Sequence, residues 1–310
     1  MAVLATLASP KALVRNQIAN ILASIASIEV PRKEWDDLIP NLCNNSTSDD
    51  INIKLASLTT LGYICEELYP EDLNDELKNN IILALTNNIT ADGPTEPSKL
   101  SIKALLFSIP YTTPNFKVQQ ERDFIMQKVF TACALPDEEI QEYALHCLRE
   151  IAIQEYECVE FYFEDICKVT EAATKSTSSK VGAQAFEFWT TLAEDETERR
   201  TKGGMKNYIE SCKDQLLVMV LQGLMIINFE EDEDDDEWGH ALSAACCLQK
   251  LSILLGNHVL QPVVQFVAAN IQQQDWKNKY ASLMALGSIT EGPDKQKFLE
   301  VIIQALQNLL

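Results

Sequence analysis

The 310-residue sequence contains few residues that interrupt helices. It has 10 glycines and 11 prolines, whereas 46% of its residues are hydrophobic. This composition excludes a disordered chain and favours an ordered, mainly helical protein. Because 310 residues exceed the usual size of one hydrophobic core, we expect several domains or a stack of small units.

Basic residues and long apolar runs are also scarce. The 25 lysines and arginines stand against 46 acidic residues, and the formal net charge of −21 disfavours nucleic-acid phosphates and anionic membrane surfaces as partners. The longest apolar stretch, residues 215–229, is too short to cross a bilayer and contains Gln222 and Gly223. We therefore predict that neither nucleic acid nor a membrane is a partner, and that partners carry Lys or Arg.

Catalytic and metal-binding motifs are missing from the sequence. The 9 cysteines include no CxxC pair and no zinc-type spacing, and most lie in apolar helical stretches, as is typical of reduced cysteines in a cytosolic or nuclear protein. The histidines His146, His240 and His258 are scattered, without ligand spacing or a nucleophile beside them. The start of the chain lacks the basic region of a signal peptide. We predict no metal, no cofactor and no enzyme activity.

One helical pattern recurs along the chain. Each copy begins with an apolar or long residue. A large apolar residue follows eight positions later, and another large apolar residue follows three positions after that. The pattern is clearest in residues 14–25, 53–64 and 140–151. The large residue of each copy is Leu22, Leu61, Leu106, Leu148, Trp189, Leu248 or Leu286, at spacings of 39, 45, 42, 41, 59 and 38 residues. Small residues precede it by four positions in several copies, as close helix packing requires. Two antiparallel helices in about 40 residues are typical of HEAT or armadillo repeats.

The pattern predicts an all-α fold, a right-handed α-solenoid of HEAT repeats with about six complete helix pairs and partial repeats at both ends. A single pair cannot bury its apolar face alone, so neighbouring pairs must stack. We predict one solenoid over residues 1–310, with repeats at 11–28 (partial), 33–70, 72–111, 118–153, 156–193, 205–255, 258–291 and 295–310 (partial). The apolar face of residues 296–310 predicts that the chain is a piece of a longer solenoid.

The anomalous spacing of 59 residues contains eight consecutive acids, residues 230–237. The run is therefore predicted as an insertion, residues 229–237, between the two helices of one repeat. Taken alone, such a run is most often a solvated, flexible loop. Eight adjacent carboxylates repel one another, however, and a basic partner would relieve that repulsion.

Four segments point to a family. Residues 121–129 (ERDFIMQKV), 186–196 (FEFWTTLAEDE), 233–248 (EDDDEWGHALSAACCL) and 275–295 (DWKNKYASLMALGSITEGPDK) resemble the importin β (karyopherin β) nuclear transport receptors. The resemblance covers essentially the whole chain. It implies a carrier in the cytoplasm, the nucleus and the nuclear pore that binds cargo or an adaptor inside, binds FG-repeat nucleoporins outside, and releases cargo to Ran-GTP.

The resemblance also implies binding residues in the acidic loop. In the family, the matching loop contacts basic residues of Ran and the basic segment of the adaptor importin α, or a basic nuclear-localisation cargo. The residues in question are Asp232, Glu233, Asp234, Asp235, Asp236, Glu237 and Trp238.

A second implied site is a slot for the phenylalanine of an FG repeat between first helices of adjacent repeats. One wall would hold Ile82, Leu83 and Thr86, and the other Glu121, Phe124 and Ile125. Positions 82 and 86, like 121 and 125, share one helix face. Thr86 replaces the larger apolar residue usual there, and a further notch is implied around Phe161 and Phe163. The alternative is that Phe124 and Ile125 only pack between repeats.

A different HEAT scaffold, such as a phosphatase scaffold subunit or an adaptin-like coat protein, would share the helical period. The function of such a scaffold does not account for an acidic loop before Trp238. Trp35, Trp189 and Trp276 are predicted as core or inter-repeat anchors because they fill large volumes near helix starts and seams.

Overall fold

The computed structural model describes residues 9–227 and 239–307, and these ranges contain helices and turns without a β-strand. The predicted all-α class is confirmed. The described helices fall into two compact units that divide between Cys158 and Val159. The proposed single array over residues 1–310 and its repeat boundaries stay predictions.

The first unit contains four helix pairs or parts of pairs. Its helices are α1 (Ala12–Glu29), α2 (Leu38–Asn45), α3 (Ile51–Glu67), α4 (Asp75–Asn87), α5 (Thr95–Ser108), the short α6 (Thr113–Phe116), α7 (Gln119–Cys133) and α8 (Glu138–Gln154). Within pairs, α2 packs on α3, α4 on α5 and α7 on α8. Between pairs, α1, α3, α5 and α8 pack in a row. We call the helices of this row second helices, and α2, α4 and α7 first helices.

The second unit repeats this arrangement. Its helices are α9 (Val159–Thr174), α10 (Ser179–Lys202), α11 (Tyr208–Gly223), α12 (His240–Leu255), α13 (Leu260–Asn270), α14 (Trp276–Ser288) and α15 (Lys295–Gln307). The first helices α9, α11 and α13 pair with the second helices α10, α12 and α14, and the second helices again form a row. The last first helix is α15, which packs on α13.

Several helices begin where a short polar side chain caps them. The residue before the helix accepts a hydrogen bond from a backbone N–H of the first turn at Asp50, Asn74, Asp137 and Asp275, which precede α3, α4, α8 and α14. These N–H groups have no partner inside the helix, so each cap supplies one. The capping residues thus fix where these helices start.

The second helices approach closely because small residues lie between them. The small residues that the repeat pattern places four positions before the large one are fully buried: Ser57, Ala144, Ala185, Ala244 and Ser282. A Cβ added at Gly62 of α3 would lie 3.3 Å from the Cβ of Ala104 on α5. Larger side chains would therefore separate these helices.

Most of the large residues of the repeat pattern lie in the core, as predicted. Leu22, Leu61, Leu148, Trp189, Leu248 and Leu286 are buried, and Leu106 is half-buried. The anchor prediction for Trp276 is wrong, because its side chain is 48% exposed. Trp276 is the first residue of α14 and packs edge-on against Tyr280, one turn further along, at a centroid distance of 6.3 Å. Trp35 is half-buried.

Among the described residues, one stretch, His240–Asn270, is long and apolar enough to cross a membrane by length and composition alone. In the structure it is divided into α12 and α13 by a 3₁₀ turn, Gly256–Val259. Core residues of both helices, such as Leu248 and Val263, are fully buried within the second unit. The hydropathy of the stretch is therefore that of packed helices, and it is weak evidence for a membrane span.

Candidate functional site

The six residues predicted for the FG slot lie on the first helices α4 and α7. Three of them are buried: Ile82, Thr86 and Ile125. The other three reach the surface: Leu83, Glu121 and Phe124. Leu83 is 49% exposed, whereas Phe124 is half-buried. Only half of the six predicted residues therefore line the exposed part of this slot.

Two polar bridges hold α4 beside α7. The Asn115 side chain on α6 donates to Asn79 Oδ1 at 2.8 Å and to Glu121 Oε2 at 2.9 Å. At the other end, Lys128 Nζ donates to the carbonyl of Ile89 at 3.0 Å.

The exposed apolar residues lie between these bridges. Leu83 is one turn beyond Asn79, and Phe124 is about one turn beyond Glu121. Lys128 Nζ also lies 5.5 Å from the centre of the Phe124 ring, which orients that ring at the surface. Leu83 and Phe124 therefore border the same interval between two neighbouring first helices.

Thr86 keeps its hydroxyl away from this interval. Its Oγ1 donates to the Ile82 carbonyl of the preceding turn at 2.6 Å and is fully buried. Satisfied within α4, the hydroxyl carries no desolvation cost. Thr86 thereby acts as a small core residue, which explains how a hydroxyl replaces a larger apolar group here.

Phe161 and Phe163 make different contacts, and the notch around them stays a prediction. Phe161 is 62% exposed and lies edge-on to Tyr162. Phe163 turns inward, where it stacks on Tyr208 at a centroid distance of 5.5 Å and meets Trp189 edge-on at 6.3 Å. Residues two positions apart on a helix face different ways, so only Phe163 contributes to the space between α9 and α11.

An open groove lies between the first helices α9 and α11. Its volume is about 510 Å³. Apolar and small groups of both helices line it, together with the Trp189 side chain: Cys167, Thr170, Cys212, Val218 and Met219. Three polar residues of α11 also line it: Asp214, Gln215 and Gln222. Val218 is 53% exposed, whereas Trp189 is buried. A space of this size and lining fits the side chain of an apolar ligand residue.

Sequence reasoning missed this groove. The available signal was that α11 carries apolar residues on more than one face, since Val218 and Met219 do not share the buried face of Leu216, Leu217 and Val220. Exposed charges line the far edge of the groove, where Lys175 Nζ and Glu171 Oε1 pair at 2.6 Å.

The acidic loop residues Asp232, Glu233, Asp234, Asp235, Asp236, Glu237 and Trp238 lie outside the described residues. The described chain on either side shows where the loop is attached. It leaves after Ile227, whose carbonyl accepts a hydrogen bond from Lys277 Nζ at 3.0 Å, and returns at Gly239, which precedes α12. The run therefore connects the first and second helix of one pair.

Three cysteines are core residues, Cys65, Cys147 and Cys247, and the other six are half-buried. Burial raises the pKa of the Cys247 thiol to about 12, and that of Cys133 likewise to about 12. A thiol with such a pKa is protonated at neutral pH and neither binds metals nor reacts readily. Within residues 9–227 and 239–307, no group of three or more His, Cys, Asp or Glu side chains is placed to hold a metal ion.

Comparison with known proteins gives consistent relatives. The chain is 33% identical to importin subunit beta-1 of Saccharomyces cerevisiae and 30% identical to importin subunit beta-1 of Arabidopsis thaliana, in each case over 99% of this chain and 37% of the relative. No protein-family model matches the sequence.

Solved structures agree with these relatives. A chain of yeast importin β (Kap95p) superimposes with a TM-score of 0.91 at 32% identity, covering 99% of this chain and 37% of that one. A Kap95p chain described as switching the loops of RanGDP to the GTP-bound conformation gives a TM-score of 0.90, and that of a Kap95–Nup1 complex gives 0.89. These two chains are 32% and 31% identical to this chain, and each match covers 99% of it. The predicted HEAT-solenoid fold class is confirmed.

The chain thus spans a little over a third of the curated relatives that it matches, 37% of their length. Those matches cover 99% of this chain, at 33% identity in sequence and with a TM-score of 0.90 in structure. These 310 residues belong to the importin β family.

Proposed function

We propose that this chain acts in nuclear import by binding FG-repeat nucleoporins in grooves between neighbouring first helices. The observation that carries this proposal is the open apolar groove between α9 and α11, in a chain related to a Kap95 protein whose complex with Nup1 has been solved. The interval bordered by Leu83 and Phe124 supplies a second, shallower position of the same kind in the first unit.

The size of the grooves sets the strength of each contact. Full burial of a phenylalanine side chain contributes about 1.5–3 kcal/mol, so a single FG contact is weak. Two such positions on one chain raise the apparent affinity for a multivalent FG segment through effective concentration. Weak individual contacts that exchange rapidly suit a carrier that must pass through the pore and not remain bound there.

The acidic loop supplies a different kind of site. We assign Asp232–Glu237 and Trp238 to contacts with Ran-GTP, importin α or a basic nuclear-localisation cargo. The net charge of −21 favours association with basic partners, and the clustered carboxylates concentrate that attraction at one loop. Such contacts weaken with rising salt. A carrier with these partners resides in both cytoplasm and nucleus and at the nuclear pore.

The role is binding, not catalysis, and needs no cofactor. Its alternative is a general HEAT scaffold, for example a phosphatase scaffold subunit or an adaptin-like protein. Retention of the wild-type chain on an immobilised FG-repeat peptide, compared with the same peptide carrying Ser for Phe, separates the two. We expect retention on the Phe peptide alone. Equal retention on both peptides would favour the general scaffold.

A further inference from the structure

Two cysteines face each other across the α9–α11 groove. Cys167 on α9 and Cys212 on α11 both line it, and both are half-buried. The Cys212 thiol donates to the Ile209 carbonyl of its own helix at 3.7 Å. The two thiols are near enough across the groove to influence each other's ionisation, and the groove leaves them open to a small reagent.

The register of the two helices explains this arrangement. Phe163 stacks on Tyr208 with ring centroids 5.5 Å apart, and each cysteine lies four residues beyond one of these rings. Both pairs are separated by 45 residues in the sequence. Positions four apart share one helix face, so α9 and α11 meet in the same register at both levels. The packing of the aromatic pair thus places the two cysteines at facing positions of the groove.

The chemistry of this pair differs from that of the other thiols. The neighbouring Cys212 thiol lowers the Cys167 pKa, whereas the neighbouring Cys167 together with burial raises the Cys212 pKa. Burial instead raises the pKa of Cys65, Cys133 and Cys147. Cys167 therefore holds more thiolate than these thiols, and the thiolate is the form that reacts with oxidants.

We propose that Cys167 and Cys212 are an oxidisable dithiol that forms a reversible disulfide between α9 and α11, across the groove. The oxidant is a peroxide. The Cys167 thiolate attacks one peroxide oxygen, the O–O bond breaks, and Cys167 becomes a sulfenic acid. The other oxygen leaves as hydroxide, which takes up the proton that Cys167 released and becomes water. The Cys212 sulfur then attacks the Cys167 sulfur, the S–O bond breaks, and the leaving hydroxide takes the Cys212 proton to form a second water. The two thiols lose two electrons, which reduce one hydrogen peroxide to two waters.

The disulfide would change the groove. A disulfide holds its sulfur atoms about 2.05 Å apart, closer than two thiols that are not bonded to each other, so its formation draws α9 and α11 together. Its sulfurs would lie between the Phe163–Tyr208 stack and the open part of the groove near Met219. We expect the oxidised groove to accept a phenylalanine less well. This last consequence rests on the proposed function, whereas the disulfide itself does not.

The first test maps the bond. The full chain is treated with stoichiometric hydrogen peroxide, alkylated, digested without reductant and compared with an untreated sample by mass spectrometry. We expect a linked peptide pair containing Cys167 and Cys212, a loss of two of the 9 free thiols, and full recovery with dithiothreitol. Full alkylation of both cysteines after peroxide, separate sulfinic acids, or links to other cysteines would overturn the proposal.

Matched variants control for folding and for specificity. Cys167→Ser keeps a small hydrogen-bonding group and is expected to abolish the link, leaving Cys212 free to alkylation. Cys246→Ser, a half-buried thiol on α12, is expected to leave the link intact. A link that persists in Cys167→Ser would assign the reaction to another pair.

The second measurement separates this inference from the proposed function. Retention on the immobilised FG peptide is compared for reduced, oxidised and re-reduced chain. We expect a several-fold loss on oxidation that dithiothreitol reverses, and unchanged retention despite a mapped disulfide would overturn closure of the groove. If the reduced chain fails to bind the FG peptide at all, the proposed function fails, and peptide mapping alone still decides the dithiol.

Discussion

The fully buried carboxylate of Glu196 on α10 accepts a hydrogen bond from the backbone N–H of Tyr208, the first residue of α11, at 2.7 Å. It also accepts one from Ile209 N–H at 3.2 Å. The local sequence supplies no such partner, because Asn207 before α11 has a positive φ of 63° and makes no capping hydrogen bond. A side chain of α10 thus caps α11 and links these two helices, which belong to successive helix pairs.

Removal of this cap should destabilise the second unit. Glu196→Ala leaves two buried N–H groups without an acceptor, which predicts a loss of about 2–4 kcal/mol in the free energy of unfolding. Glu196→Gln keeps one acceptor oxygen and should lose less. Urea unfolding followed by tryptophan fluorescence measures both. The control is Glu198→Ala on the exposed face of α10, where we expect no measurable change. An equal response of the two alanine variants would contradict the capping role.

Close packing of α10 on α12 leads to a second prediction. A Cβ added at Gly182 would overlap the buried His240 ring. Gly182→Ala should therefore destabilise the unit by about 1–3 kcal/mol through overpacking, although alanine is the better helix former. The matched control is Gly287→Ala on α14, where an added Cβ meets nothing within 4 Å. That variant should gain up to about 1 kcal/mol. Thermal unfolding of both variants measures these two changes in stability, which we expect to have opposite signs.

His240 predicts how stability depends on pH. Burial beside Phe186, at a centroid distance of 5.2 Å, lowers the His240 pKa below its ordinary value of 6.5. Above pH 6.5 both the folded and the unfolded chain hold this ring neutral, and the full stability is present. Below it the unfolded chain takes up a proton that the folded chain refuses, so stability falls as the pH decreases towards the folded pKa.

The expected loss is at most about 1.4 kcal/mol per pH unit for this one proton. Urea unfolding between pH 7.5 and 5.5 measures the slope. His240→Gln should reduce it. Part of the slope should remain in His240→Gln, because burial also lowers the pKa of His146 in the first unit. An unchanged slope in His240→Gln would rule out this residue as its source.

Much of this architecture follows from local sequence. The 40-residue period places Leu61, Leu148 and Leu248 in the core, and the capping residues Asp137 and Asp275 mark helix starts. These features depend on residues close in sequence, so periodicity and capping chemistry suffice to predict them.

Other features depend on contacts that no local pattern encodes. Glu196 lies in an acidic stretch typical of an exposed helix face, and only the position of α11 makes it a buried cap. Trp276 has the large aromatic side chain that is typical of a core anchor, but it lies at the surface. The α9–α11 groove is lined by residues of two helices that are distant in sequence and by Trp189 of a third helix, so it depends on how these helices pack.

The acidic loop gives a prediction that tests the second kind of site. Replacement of Asp232–Glu237 by Ser and Asn removes the charges without shortening the loop. We expect weaker binding of Ran-GTP or of the basic importin α segment at low salt, and a smaller dependence of affinity on salt, because fewer charge contacts remain to be screened. Titration at two salt concentrations measures both effects. An affinity equal to that of the wild type at low salt would refute the assignment.

The most direct test of FG binding between first helices is the affinity for one immobilised FG peptide in three matched variants. Val218→Asp places a charge in the α9–α11 groove, Leu83→Asp places one between α4 and α7, and Ile21→Asp alters an equally exposed residue of the second helix α1. We predict that each groove variant loses part of the 1.5–3 kcal/mol of a buried ring, which lowers affinity about tenfold, while Ile21→Asp binds like the wild type. Wild-type affinity in both groove variants, or an equal loss in Ile21→Asp, would contradict FG binding in these grooves.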